Sequence, residues 1–301
     1  MASTTPPSYG GQAVIEGVLI RGQSCSTVAV RRPDGTIALR ADPIGTLFTG
    51  RLRKMPLVRG VLALVESLTL GMRALIYSAN VGMELEGEEI GKGTVAGILA
   101  FSLLFSLGLF FLLPVVTSEL LGKALGASDI VSNLAEGIIR LAIFLGYIVL
   151  IGRMEQIRRV FMYHGAEHMT VHAQEHLQPL DVASVRNYPT AHPRCGTAFL
   201  LFVVVLAIFV FTLVGRDPLW WLLTSRIVLV PVIAGLGYEA IRFSWSHGDN
   251  PIVRLIAAPS LALQALTTRQ PDDDQIEIAI AAMKHALEGD EAAAAAEATQ
   301  V

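Results

Sequence analysis

Residues 94–118 read TVAGILAFSLLFSLGLFFLLPVVTS, a stretch without a single Asp, Glu, Lys, Arg or His. A helix of that length crosses the roughly 30 Å hydrocarbon core of a bilayer, and uncharged side chains make the crossing favourable. Pro114, close to its end, lacks the N–H that an uninterrupted helix needs, so a kink or stop is expected there. This run sets the class of the whole chain as an α-helical polytopic membrane protein.

Working outward, three more segments fit a bilayer. Residues 137–152, GIIRLAIFLGYIVLIG, support a span of about 135–154 if Arg140 snorkels or faces the bundle. Residues 197–214, TAFLLFVVVLAIFVFTLV, carry no charge and predict a span over 197–215. A fourth is expected over 219–243, with Trp220 and Trp221 at one end and Trp245 beyond the other, as interfacial anchors. Composition agrees: charged residues are 16% of the chain, against about 25% in soluble domains.

The basic residues orient these spans. Arg21, Arg31, Arg32, Arg40, Arg51, Arg53, Lys54 and Arg59 precede the first, and Arg153, Arg158, Arg159, Arg186 and Arg194 lie between the second and third. The other two connections hold Lys123 and Arg216. Basic loops stay inside, so both termini and the 153–196 loop are expected in the cytoplasm. The net charge of −3 gives no basic field for nucleic acid. Two cysteines, Cys25 and Cys195, make no disulfide framework. The opening MASTTPPSYGG lacks the basic and apolar regions of a secretory signal.

The flanks divide the chain further. Residues 8–56 are expected to form a small cytosolic β element, because Pro33-Asp34-Gly35 is a turn between the β-branched runs CSTVAVRR and TIALR. The membrane domain would cover 57–266. Within it, 57–80 reads as an amphipathic helix, since Arg59, Glu66 and Arg73 recur every seven residues on one face. A re-entrant or spanning helix is the competing reading of that segment. Residues 251–266 read as a second interfacial or packed helix. Three aspartates, Asp272 to Asp274, open an amphipathic helix over 267–288, and Ala- and Glu-rich residues 289–301 are expected to be a disordered tail.

The chemistry gathers in YHGAEHMTVHAQEH, residues 163–176. His164, Glu167 and His168 form H-x-x-E-H, the reverse order of a zinc-hydrolase motif. Residues i and i+4 lie one turn apart on a helix, so two imidazoles can hold one metal. Glu167, offset from both, can sit beside the ion and take a proton from water. His192 and Cys195, in the later stretch HPRCG, would complete the set. His172 has rotated about 80° from His164 on an ideal helix and is a weaker candidate. Glu239 is a further possible ligand or supporting group, and Glu239 and Arg242 can instead pair with each other. The competing reading of these histidines is a solvated charged helix face, and Gly165 counts slightly against a stable helix there.

Four stretches, GGQAVIEGVLIRG, YHGAEHMTVHAQE, HPRCGTAF and TTRQPDDDQIEIAI, together resemble the YqhQ-like bacterial membrane proteins over residues 9–288. That family is a domain of unknown function described as predicted metal-dependent enzymes. The resemblance implies a bacterial inner-membrane location and carries over Gly11, Gln12, Ala13, Glu16, Gly17 and Arg21, then His164, Glu167 and His168, then His192, Arg194, Cys195 and Gly196. Met169 stands where a basic residue is expected.

The sequence therefore predicts a membrane-embedded, metal-dependent hydrolase, possible peptidase-like chemistry included, with its site facing the cytoplasm. A divalent metal, zinc by ligand type, would be held by His164, His168, His192 and Cys195, with Glu167 as general base. Beyond the lipid bilayer, a cytosolic or membrane protein partner is conceivable. The alternative is a non-catalytic scaffold with a structural metal or none; a transporter has less support, since the spans show no internal repeat.

Overall fold

The computed structural model describes residues 9–84, 91–247 and 250–299. Four strands come first: β1 Gly10–Val14, β2 Gly17–Arg21, β3 Cys25–Arg31 and β4 Ile37–Pro43. They pair antiparallel in chain order, with Ala13 opposite Val18, Leu19 opposite Val28 and Val28 opposite Arg40. The β3–β4 turn is the expected one. Gly35 takes φ 86°, and Asp34 Oδ1 accepts the Thr36 N–H at 2.9 Å. A second hairpin, β1–β2, turns at Ile15-Glu16 without a glycine in the turn, and Glu16 itself adopts φ 49°.

The long helices are α1 Val58–Met83, α2 Gly93–Leu125, α3 Asp129–Ile151, α4 Glu155–Glu175, α5 Gly196–Thr212, α6 Leu219–Ser246, α7 Pro251–Thr267 and α8 Asp273–Thr299. Alternation along the strands explains how they are used. Val18, Ile20 and Ala29 point to one face and pack on α4 and α8, among Tyr163, Ala166, Met169, Ile276, Ile278 and Met283. Val14, Leu19, Val28 and Val30 point to the other and pack on Leu70, Ala74, Tyr77 and Val81 of α1. Because both faces are covered, the centre of β3 is buried at every residue. Each such Val or Ile stabilises the layer by about 1.5–3 kcal/mol.

The protein is mostly helical, and four of its helices are long and apolar enough to cross a membrane: α1, α2, α3 and α6. The number agrees with the sequence reading, but the membership differs. The segment expected to span over 197–215 is α5, only 17 residues long, because the helix ends at Thr212. At about 1.5 Å per residue it reaches some 26 Å. The expected amphipathic helix is α1, whose 26 residues satisfy the length and composition of a span. Its charges are nevertheless spent inside the protein. Arg59 pairs with Glu239 of α6, and the buried Glu66 binds Arg21 at 3.0 Å and Arg53 at 2.5 Å; Arg73 stays exposed. Glu239 is thereby accounted for by Arg59 rather than by Arg242 or a metal.

Pro114 neither stops nor closes α2. A π-helical stretch, Leu107–Leu112, precedes it and the helix continues to Leu125. Proline cannot donate to the carbonyl four residues back, and Arg140 Nε donates to that Phe110 carbonyl at 3.1 Å instead. Arg140 thus faces the bundle, where it also meets Glu136 at 2.7 Å. Glu136 further binds Arg216 and Arg226, each at 3.0 Å. Paired and fully hydrogen-bonded charges are the form in which an apolar bundle tolerates them. At the C-terminus, α8 runs on to Thr299 through the segment expected to be a disordered tail. Alanine favours helix, and Asp290 holds the end in place by accepting from Ser24 N–H at 2.8 Å and Tyr9 O–H at 3.0 Å.

Candidate metal centre

The H-x-x-E-H residues lie in the middle of α4, which is continuous through Gly165. That glycine has a packing reason. A Cβ at 165 would stand 2.2 Å from the Arg269 carbonyl oxygen, so only glycine lets the segment after α7 cross the helix there. The crossing is fixed by the Arg269 N–H, which donates to Phe161 O at 2.9 Å. It brings the Thr267 carbonyl to 2.9 Å from His164 Nδ1.

That contact decides the chemistry of His164. A carbonyl only accepts, so Nδ1 carries the proton and Nε2 keeps its lone pair. The same holds one turn on, where His168 Nδ1 lies 2.6 Å from Thr190 O. Metal-binding histidines are oriented by such an outer hydrogen bond. The two free Nε2 atoms converge on Cys195, whose Sγ is 3.2 Å from His164 Nε2. Together His164, His168 and Cys195 offer three ligand atoms within 4.8 Å of one another. Cys195 caps the N-terminus of α5, and its sulfur accepts from Thr197 N–H at 3.4 Å. His168 is 2% exposed, which removes the solvated-face reading.

Glu167 is buried at the junction of α4 and β1. One carboxylate oxygen lies 3.5 Å from His168 Nε2, and the Gly11 N–H donates to the group. A Cβ on Gly11 would stand 2.8 Å from Glu167 Cγ, so glycine is required for β1 to come this close. Among the described residues no Lys or Arg pairs with Glu167. Burial pushes its carboxyl above the usual carboxylate range, against the opposing pull of His164, His192 and the Gly11 N–H. A buried carboxylate beside two imidazoles and a thiol, lacking a basic partner, is a setting that a divalent cation would balance. The donor set is of the N₂S type that zinc takes, with a fourth position not supplied by another residue of the group.

His192 belongs to a neighbouring arrangement. Its ring lies 5.7 Å from that of His168, but its ligand atom clusters with those of His172 and Glu175, all within 4.8 Å. Here the hydrogen bonds satisfy themselves. His192 Nδ1 accepts the Arg194 N–H at 3.2 Å, leaving Nε2 to donate to Glu175 at 3.3 Å. Glu175 is ion-paired with Arg194. His172 Nε2 donates to Ala191 O at 2.9 Å. The loop carrying His192 is clamped by the buried Gln264, which donates to the His192 carbonyl and accepts its N–H, both at 2.8 Å. Burial holds His168 and His192 below the ordinary imidazole value and pushes His172 down to about 4.

The N-terminal motif seats α4 against the sheet. Glu16 accepts two bonds of 2.6 Å from Arg159 and one of 3.2 Å from Tyr163, and Gln12 donates to Ser67 O of α1 at 3.1 Å. Residue spacing alone did not reveal the roles of Gly11, Thr190, Thr267 and Gln264, because each acts through the backbone or across a long stretch of chain.

Residues 55–289 match the model of a family described as a protein of unknown function, DUF1385. The chain is 35% identical over 302 residues to the uncharacterized protein YqhQ of Bacillus subtilis (strain 168), a match covering 94% of this chain and 93% of that one. No solved structure matches.

Proposed function

The chain belongs to the DUF1385 family, and we propose that it is a metal-dependent hydrolase seated at the membrane surface, with its site on the cytoplasmic side of the inner membrane. One observation carries this reading: two imidazole Nε2 atoms and a thiol converge within 4.8 Å while a buried carboxylate lies 3.5 Å from one of them. His164, His168 and Cys195 would hold zinc, with His192 behind His168 in a supporting place. Bound zinc supplies Lewis acidity, which makes water acidic enough to lose a proton near neutral pH.

The protein's own groups do the rest. Thr267 and Thr190 carbonyls fix the ring tautomers. Glu167, kept basic by its raised pKa, takes the proton from the attacking water and passes it to the leaving group. Burial against β1 at Gly11 shields its carboxylate from bulk water. The orientation rests on the basic loops 51–59 and 153–194, which stay inside by charge, with α2 and α3 crossing between them and α1 lying against the sheet instead of crossing.

The test compares purified wild type with His168→Ala and Glu167→Gln. Wild type should contain about one zinc per chain and cleave a quenched fluorescent peptide mixture in proteoliposomes. His168→Ala should lose both. Glu167→Gln should keep the metal and lose about 10²–10⁴ in rate, the usual contribution of a general base. Metal-free wild-type protein removes the reading, and full activity in Glu167→Gln reduces any metal to a structural element of a scaffold.

A further inference from the structure

A cleft of about 990 Å³ opens between α5, α6 and α7 beside the loop 192–195. That volume is at the upper end of small-ligand sites. Its walls are apolar, including Phe202, Ile241, Leu255, Ala257 and Leu261. Leu255 is 74% exposed, so the cleft is open along one side to whatever surrounds the helices. Around a bundle with helices of membrane-spanning length and composition, that surrounding is lipid.

The polar lining is net cationic. Arg194, Arg254 and Glu175 all border the cleft. Glu175 is taken by Arg194, and Arg194 also lies over the Trp245 ring, 5.6 Å from its centroid. Trp245 is fixed by donating to Pro193 O at 3.0 Å. Arg254 differs: among the described residues its guanidinium has no hydrogen bond or ion pair. A guanidinium beside hydrocarbon recruits a phosphate, whose oxygens match its planar fork. Exchanging one hydrocarbon environment for another brings no net hydrophobic gain inside a membrane. Selectivity must therefore come from the head group.

We propose that this cleft is a binding site for an anionic phospholipid, with an acyl chain along Phe202, Ile241, Leu255 and Leu261 and the phosphate on Arg254. The site is independent of the metal reading. The lipid sits next to Glu175 and Arg194, one hydrogen-bonded step from His192.

Nanodiscs of equimolar phosphatidylcholine and phosphatidylglycerol, followed by native mass spectrometry of the full chain, test it. Wild type should retain about one phosphatidylglycerol, preferred about fivefold, as one arginine near an anionic surface contributes. Arg254→Gln should abolish the preference, and Ala257→Trp should reduce retention of both lipids. A photoactivatable phosphatidylglycerol, used on unmodified protein, should label residues of α5, α6 and α7 that border the cleft. Equal retention of both lipids by wild type overturns the proposal. So does labelling confined to other helices, a co-purified polypeptide in place of lipid, or a preference unchanged in both variants. Displacement by soluble glycerol phosphate alone, without an acyl chain, also overturns it by assigning the site to the free head group.

Discussion

Gly165 and Gly11 hold the centre together by what they lack. Their missing side chains admit the Arg269 carbonyl and the Glu167 side chain respectively. Gly165→Ala should therefore destabilise the protein by about 1–3 kcal/mol, the usual penalty of overpacking, although alanine is the better helix former by roughly 1 kcal/mol. Thermal unfolding of both proteins in the same detergent checks the sign; a more stable Gly165→Ala would mean that the crossing at 269 yields freely. Propensity alone reads this glycine as a weakness, since the carbonyl that requires it lies far along the chain. The convergence of these side chains was legible at this scale: His164 and His168 come together through their i, i+4 spacing, and Cys195 joins them from its place before α5. His172, set apart by its rotation around the helix, lies in the neighbouring group with Glu175 and His192. What spacing did not separate was His192 from Cys195, three residues apart but turned to different groups by the Arg194 N–H and Gln264.

Among the elements, α4 shows how burial couples the histidines to stability. His172 titrates near 4 in the folded protein, against about 6.5 for a free imidazole. Between those values the unfolded chain binds the proton that the folded chain refuses. The contribution of neutral His172 is complete above pH 6.5 and falls away as pH drops from 6.5 toward 4. The melting temperature should decline across that window, and His172→Gln should flatten the decline; an identical pH profile in the variant would place the effect elsewhere. The strands and helices themselves were readable to different degrees. The Asp34-Gly35 hairpin follows from turn chemistry, whereas β1–β2 turns on Glu16, a residue type that gives no such signal. The long apolar runs of α2 and α6 were plain. The actual use of α1 was not, because length and composition suit a span while Ala74, Tyr77 and Val81 pack on the sheet.

At the scale of the whole molecule, the candidate centre lies on a seam. On one side is a soluble-type layer, the sheet between α1 and the α4–α8 pair. On the other is the apolar bundle, braced by Glu136 and its three arginines. His164 and His168 come from the layer, Cys195 from the residue that caps a bundle helix, and the carbonyl that orients His164 from the end of α7. A metal held there would lock the layer onto the bundle while leaving one position for chemistry. The most direct measurement is X-ray absorption at the zinc edge of the purified full-length protein. The account predicts two nitrogen ligands at about 2.0–2.1 Å and one sulfur at about 2.3 Å, with the sulfur lost in Cys195→Ser. Zinc absent from the protein, or a wild-type shell without sulfur, would contradict it.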